Sequence, residues 1–119
     1  QSEIADTLCS NLSFGQKRLV ELIRSILNPH KLLMLDEPIA GVNTKIKNNI
    51  FSMLLGLRNE GSTIFLIEHD MSFTLSLSDT IIVLDAGKII AQGSPQEIQK
   101  NKMVLDIYLG LGKQIKIVT

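Results

Sequence analysis

Leu32-Leu33-Met34-Leu35-Asp36-Glu37-Pro38 is a continuous apolar run that stops on two adjacent carboxylates and a proline. A run of this length without polar alternation predicts a strand buried on both faces, as in a parallel sheet. Such a strand delivers its last side chains to the carboxyl edge of the sheet, where α/β proteins bind ligands. Asp36 and Glu37 are therefore candidate site residues, although a strand ending in a polar turn reads the same way.

Outward from this run, Ile39-Ala40-Gly41-Val42-Asn43 is a turn, and Asn43 can cap the helix that follows. Ile46, Ile50, Met53, Leu54 and Leu57 recur on one helical face, and Gly61 stands where a C′ glycine ends such a helix. Residues 63–67 are a second buried-type strand, so strand, helix and strand predict a right-handed βαβ unit. Glu68-His69-Asp70 closes that strand, and residues 72–77 suit a short helix.

On the N-terminal side, Ser13 opens a helix in which Leu19, Leu22, Ile23, Ile26 and Leu27 share a face. Ser13 and Gln16 have capping-box spacing, and Asn28-Pro29 ends the helix. On the C-terminal side, residues 80–84 and 88–91 flank Asp85-Ala86-Gly87, which reads as a three-residue hairpin link. Ser94 caps a short helix with Pro95 at its first position. Residues 103–109 are predicted helical, stopping before Gly110, and the pattern of residues 112–119 is ambiguous.

Two further segments carry possible chemistry. Leu12-Ser13-Phe14-Gly15-Gln16 begins a helix, and a helix start offers free N–H groups and partial positive charge to phosphate. Gly15 would let a ligand come close, the Ser13 hydroxyl adds a donor, and the cations Lys17 and Arg18 follow. A capped helix without a ligand has the same pattern. His69 could donate to phosphate near neutral pH. A lone histidine at a strand end is more often structural. Metal ligation suits it less, because adjacent strand side chains point to opposite faces.

The bulk numbers narrow the class. The 119 residues suit about one small domain, and 45% apolar with 20% charged residues argues against disorder. Net charge is zero with no basic stripe, so nucleic-acid binding has no electrostatic support. The single Cys9 cannot form an internal disulfide, which fits a reducing compartment. No apolar run approaches the roughly 18–20 residues that span a bilayer, and no secretory signal opens the chain. The missing initial Met fits a fragment or a processed chain.

In order and spacing, Leu12 to Gln16, Leu32 to Pro38 and Glu68-His69-Asp70 resemble the second half of an ABC-type ATPase. They match its signature segment, its Walker B strand and its switch histidine. The resemblance runs from about Ile4 to Leu111 and implies an α/β fold. That fold is a partial P-loop NTPase (RecA-like) core with a mostly parallel sheet, flanking helices and no P-loop strand. It would be one domain part over residues 1–119. The signature helix would cover 13–28, the Walker B to switch-histidine region 32–70, and the hairpin and last helices 79–111. Gly56 to Thr63 has P-loop glycine spacing but lacks the lysine and joins helix to strand, so it is not a P-loop. Gly87-Lys88 and Gly112-Lys113 lack the earlier glycine.

The resemblance implies ATP and Mg²⁺ as cofactors in a composite site between two subunits meeting head to tail. Asp36 would hold Mg²⁺ through water, Glu37 would orient or deprotonate the attacking water, and His69 would reach the γ-phosphate. Ser13, Phe14, Gly15 and Gln16 would meet the partner's nucleotide. Asn43 stands where most members have Asp in the inter-subunit loop. Phe14 replaces the family's usual Gly, as it does in branched-chain amino acid importers, which the segments 67–71, 79–95 and Tyr108-Leu109-Gly110 also resemble.

The implied partners are a second ATPase subunit (the same or different), transmembrane permease subunits and a solute-binding protein. The implied location is peripheral, on the cytoplasmic face of the inner membrane. Alternatives are a lipopolysaccharide-export ATPase, a chromosome-maintenance ATPase, and a non-catalytic module retaining the half-fold. Without a P-loop the chain alone is expected to be inactive. The slot of the missing strand, between the strand ending at Glu68 and residues 80–84, is expected to expose pairing edges, leaving the chain marginal or aggregation-prone or recruiting a partner strand.

Overall fold

The computed structural model of the chain describes residues 13–29, 31–110 and 116–118. Leu12, Cys9 and His30 lie outside the described residues. The first helix, α1, spans Phe14–Leu27, with Ser13 and Gln16 forming the capping box that their spacing predicts. Strand β1 (Leu32–Asp36) and strand β2 (Thr63–Glu68) pair in parallel, from Leu32 opposite Thr63 to Asp36 opposite Ile67.

Helix α2 (Thr44–Asn59) links these strands and is capped by the Asn43 side chain. It ends in a Schellman motif: Gly61, at φ +94°, donates to the Arg58 carbonyl, and Ser62 donates to that of Leu57. Helix α3 (Met71–Leu77) follows β2 directly and starts one residue earlier than its apolar pattern suggests. The reason is Asp70, whose carboxylate accepts from the Phe73 N–H and caps the helix.

Strands β3 (Ile81–Asp85) and β4 (Lys88–Gly93) form the hairpin. Its link is two residues, Ala86 and Gly87, not three, and both take positive φ. That backbone matches the twist of paired strands. Helix α4 (Pro95–Lys100) carries the expected Ser94 capping box with Glu97. Helix α5 (Lys102–Gly110) runs through Gly110 rather than stopping before it.

Residues Lys116–Val118 form β5, in the tail whose pattern was ambiguous, and the sheet order is β1-β2-β5-β3-β4. β5 runs antiparallel to both neighbours, pairing Val118 with Ile67 and Ile82, and Ile117 with Glu68 and Val83. β1, β2 and β3 therefore share one direction, and β4 and β5 oppose it. The slot expected to stand open between β2 and β3 holds three residues of this same chain. Bare strand edges carry unmet N–H and C=O groups, and this short strand meets some of them. On that side it pairs only Ile67 and Glu68 of β2. Beside the rest lies a cavity of about 220 Å³ lined by Thr63, Ile64, Leu66, Leu77, Ser78 and Asp79. The buried Ser78 hydroxyl has no hydrogen-bond partner.

The main core packs Leu22 of α1, Ile46, Ile50 and Leu54 of α2, and Phe73 and Leu77 of α3 onto Leu33 and Leu66. Ile50 and Leu54 are fully buried, which stabilises the fold by about 1.5–3 kcal/mol each. A second cluster joins Ile81 and Val83 to Ile98, Val104 and Met71. Helix α3 thus bridges the clusters, with Met71 in one and Phe73 and Leu77 in the other.

Contrary to expectation, β1 is not buried on both faces: Leu33 is 5% exposed, but Leu32 and Met34 are 47% and 67% exposed. β1 ends the described sheet, and the core helices cover the face that carries Leu33. β2 likewise buries Leu66 and Glu68 more completely than Phe65 and Ile67 between them.

Candidate functional site

The parallel register brings the ends of β1 and β2 side by side. Glu37 continues the ladder one residue past β1, donating its N–H to the Ile67 carbonyl at 2.8 Å. There the chain turns sharply, with Glu37 at φ +47°, a left-handed conformation unfavourable for a side chain with a Cβ. Its carbonyl accepts from the Ala40 N–H at 3.2 Å and from Arg18 Nη2 at 2.6 Å. Arg18 Nε also reaches the Pro38 carbonyl, at 3.4 Å.

His69 begins the turn after β2. Its Nε2 lies 4.0 Å from Glu37 Oε1, close enough for a charged pair but beyond a direct hydrogen bond. Both side chains are partly open to solvent. Asp36 is the last, exposed residue of β1. Among the described residues no three His, Cys, Asp or Glu side chains gather into a metal-binding group. An exposed Asp36 beside Glu37 nevertheless suits Mg²⁺, which keeps several waters and takes one or two carboxylates with substrate phosphates. Two cations close to these turns are already engaged, Arg18 with carbonyls and Lys47 with Asp70.

The turn after His69 is held from below. Glu68 is 1% exposed, and its Oε1 accepts the N–H groups of His69 and Asp70 at 3.0 and 3.4 Å. Its Oε2 is buried without a partner. Burial pushes this carboxyl above its ordinary value, and the two N–H bonds only partly offset that. Asp70 goes the other way. Burial raises it, but the Lys47 hydrogen bond at 2.6 Å, the Phe73 N–H and nearby positive charge outweigh burial and hold it low.

The residues opening α1 stand apart from these carboxylates in role. Ser13, Phe14 and Gln16 are exposed. The Ser13 hydroxyl accepts the Gln16 N–H at 3.3 Å, and the Gln16 side chain accepts the Ser13 N–H at 3.0 Å. Gly15 is buried: a Cβ there would lie 3.3 Å from Ile46, so this glycine lets α1 approach α2 closely. The Phe14 ring covers Gly41, which takes φ +71° and has 3.2 Å between its missing Cβ position and that ring. Asn43 Oδ1 accepts the Ile46 N–H at 2.9 Å.

Glu37 and His69 are thus brought together, as are Phe14 and the loop holding Gly41. Arg18, Lys47 and Glu68 are the contributors the sequence did not single out for these tasks. In the sequence Arg18 reads as a phosphate-attracting cation after the helix start, and the structure turns it onto main-chain carbonyls instead. Its place one turn into a capped helix was the available signal.

Residues 1–40 match the family described as ABC transporter. The branched-chain amino acid transport ATP-binding protein BraF of Pseudomonas aeruginosa is 39% identical over 92% of this chain and 43% of its own length. LivG of Salmonella typhimurium, named for the same transport, is 41% identical over 91% of this chain and 43% of its own. The solved ADP conformation of MJ1267, an ATP-binding cassette of an ABC transporter, aligns with a TM-score of 0.70 and 36% identity. It covers 83% of this chain and 41% of that one. The chain spans less than half the length of these relatives. Among the described residues no helix is long and apolar enough to cross a membrane.

Proposed function

We propose that this chain, which is similar in sequence and fold to part of an ABC-type ATP-binding cassette, supplies the hydrolytic edge of a transport ATPase. The observation that carries this is the pairing of Glu37 and His69 at 4.0 Å across two parallel strand ends, with Asp36 adjacent. Asp36 would help hold Mg²⁺, whose role when bound is to neutralise phosphate charge. Glu37 orients the attacking water and accepts its proton. His69, anchored through the Glu68 turn, donates to the terminal phosphate.

Ser13, Phe14, Gly15 and Gln16, with Asn43, face a second subunit in this proposal and contact the nucleotide held there. In the capping box the Ser13 hydroxyl and the Gln16 side-chain carbonyl act as acceptors, so the Ser13 O–H and the Gln16 side-chain N–H groups stay available as donors. The phosphate cradle comes from a P-loop-bearing segment outside these residues. Charge-assisted bonds worth about 1.5–3 kcal/mol each would hold the two subunits closed until hydrolysis. Opening would then drive permease subunits at the cytoplasmic face of the membrane. Similarity to BraF and LivG favours branched-chain amino acids as cargo, delivered by a solute-binding protein.

The test is Mg-ATP binding by the purified chain, alone and mixed with a P-loop-bearing half of a related cassette. Tight binding only in the mixture is the expected result. Equal, negligible binding in both would leave a non-catalytic module as the better account.

A further inference from the structure

We propose that Arg18 is a positioning residue that holds the Glu37 main chain in its left-handed conformation, tying the start of α1 to the carboxylate after β1. This rests on the role proposed above for Glu37. A glutamate at φ +47° does not stay there without restraint. Three hydrogen bonds restrain it: its own N–H to Ile67, and its carbonyl from Ala40 and from Arg18. The bond from Arg18 is the shortest of the three, at 2.6 Å, and the only one from a side chain.

The guanidinium is suited to this task. Its Nη2 and Nε reach successive carbonyls, those of Glu37 and Pro38, at 2.6 and 3.4 Å. A rigid fork can span two acceptors, whereas a lysine ammonium is a single point of charge. Among the described ion pairs none includes Arg18, so its charge is directed to main-chain oxygens. Arg18 also lies five residues from Ser13 and three from Gly15. A shift at the start of α1 therefore pulls directly on the turn that aims Glu37 at His69.

A staple that merely fastens α1 to the sheet makes different predictions. In the full 119-residue chain, Arg18→Lys and Arg18→Ala should move the Glu37 ¹³Cα and carbonyl resonances away from left-handed values. Resonances of Ile50 and Leu54 in the core should stay put. When the chain is combined with a P-loop-bearing half, both variants should lower kcat for ATP by about 10²-fold with little change in KM. Guanidinium ion should restore part of the Arg18→Ala loss.

Unchanged Glu37 resonances in Arg18→Ala overturn the proposal. So does an unchanged kcat in an assembly that Glu37→Gln inactivates. If Glu37→Gln itself leaves hydrolysis intact, the catalytic role of Glu37 fails instead, and the resonances still decide whether Arg18 sets its main chain. Should Arg18→Ala not fold, Arg18→Lys gives the same two readouts.

Discussion

His69 Nε2 faces Glu37 Oε1 across 4.0 Å at the ends of two hydrogen-bonded parallel strands. Neither residue could reach the other without the register that sets Asp36 opposite Ile67. The pair is supported from both sides. Arg18 grips the main chain of Glu37, and buried Glu68 accepts the N–H of His69.

Glu68 should make the chain less stable as pH rises. Burial holds its folded value above the ordinary 4.5, so the folded state keeps this proton longer than the unfolded chain does. Stability is then greatest below the unfolded value and declines as pH climbs through the folded one. Glu68→Gln keeps an acceptor for the His69 N–H and removes the ionisation. Denaturant titrations at stepped pH should show a flatter profile for this variant, and an identical slope would refute the assignment.

Asp70 should do the opposite. Its folded value lies below the ordinary 3.8, so its contribution is full above that value and disappears as pH falls through the folded one. Lys47→Met removes the 2.6 Å partner while keeping much of the stem. The expected cost near neutral pH is about 1 kcal/mol or less, because both groups are partly solvated. Acid unfolding of the variant should also begin at higher pH than in the parent chain.

Gly41→Ala should destabilise by about 1–2 kcal/mol, since φ +71° disfavours any Cβ and the Phe14 ring stands 3.2 Å away. Adding Phe14→Ala should recover only the steric part. Thermal melts of the two single variants and the double variant separate these contributions. Full recovery in the double variant would show that the backbone conformation is not costly here.

These features were legible to different degrees. The caps at Ser13, Asn43 and Ser94 were readable because each is a local side-chain-to-backbone bond. The parallel pairing of β1 and β2 was readable from two apolar runs around one amphipathic helix. Exposure of Leu32 and Met34 was not, because an apolar run does not say whether anything covers its second face. Glu37 gave no sign of its positive φ, which composition marks for Gly or Asn but not for Glu. Glu68 looked like a carboxylate at the sheet edge, yet strand alternation puts it on the same face as Leu66 and buries it.

Residues 116–118 should matter more than their length suggests. They bridge β2 and β3, and without them both strands present open edges. Deleting residues 116–119 should lower the melting temperature and increase light scattering at moderate protein concentration. The parent chain itself should be marginally stable, as the short β5 and the cavity along β2 imply. A monomeric parent with a cooperative, high-temperature transition would contradict this.

The most direct measurement is steady-state ATP hydrolysis by this chain combined with a P-loop-bearing half, compared with the same assembly carrying Glu37→Gln. The account predicts Mg-dependent turnover that Glu37→Gln reduces by about 10²–10⁴-fold while ATP still binds. Turnover indifferent to Glu37→Gln, or binding of ATP without any turnover in the parent assembly, would contradict a catalytic role for the Glu37–His69 pair.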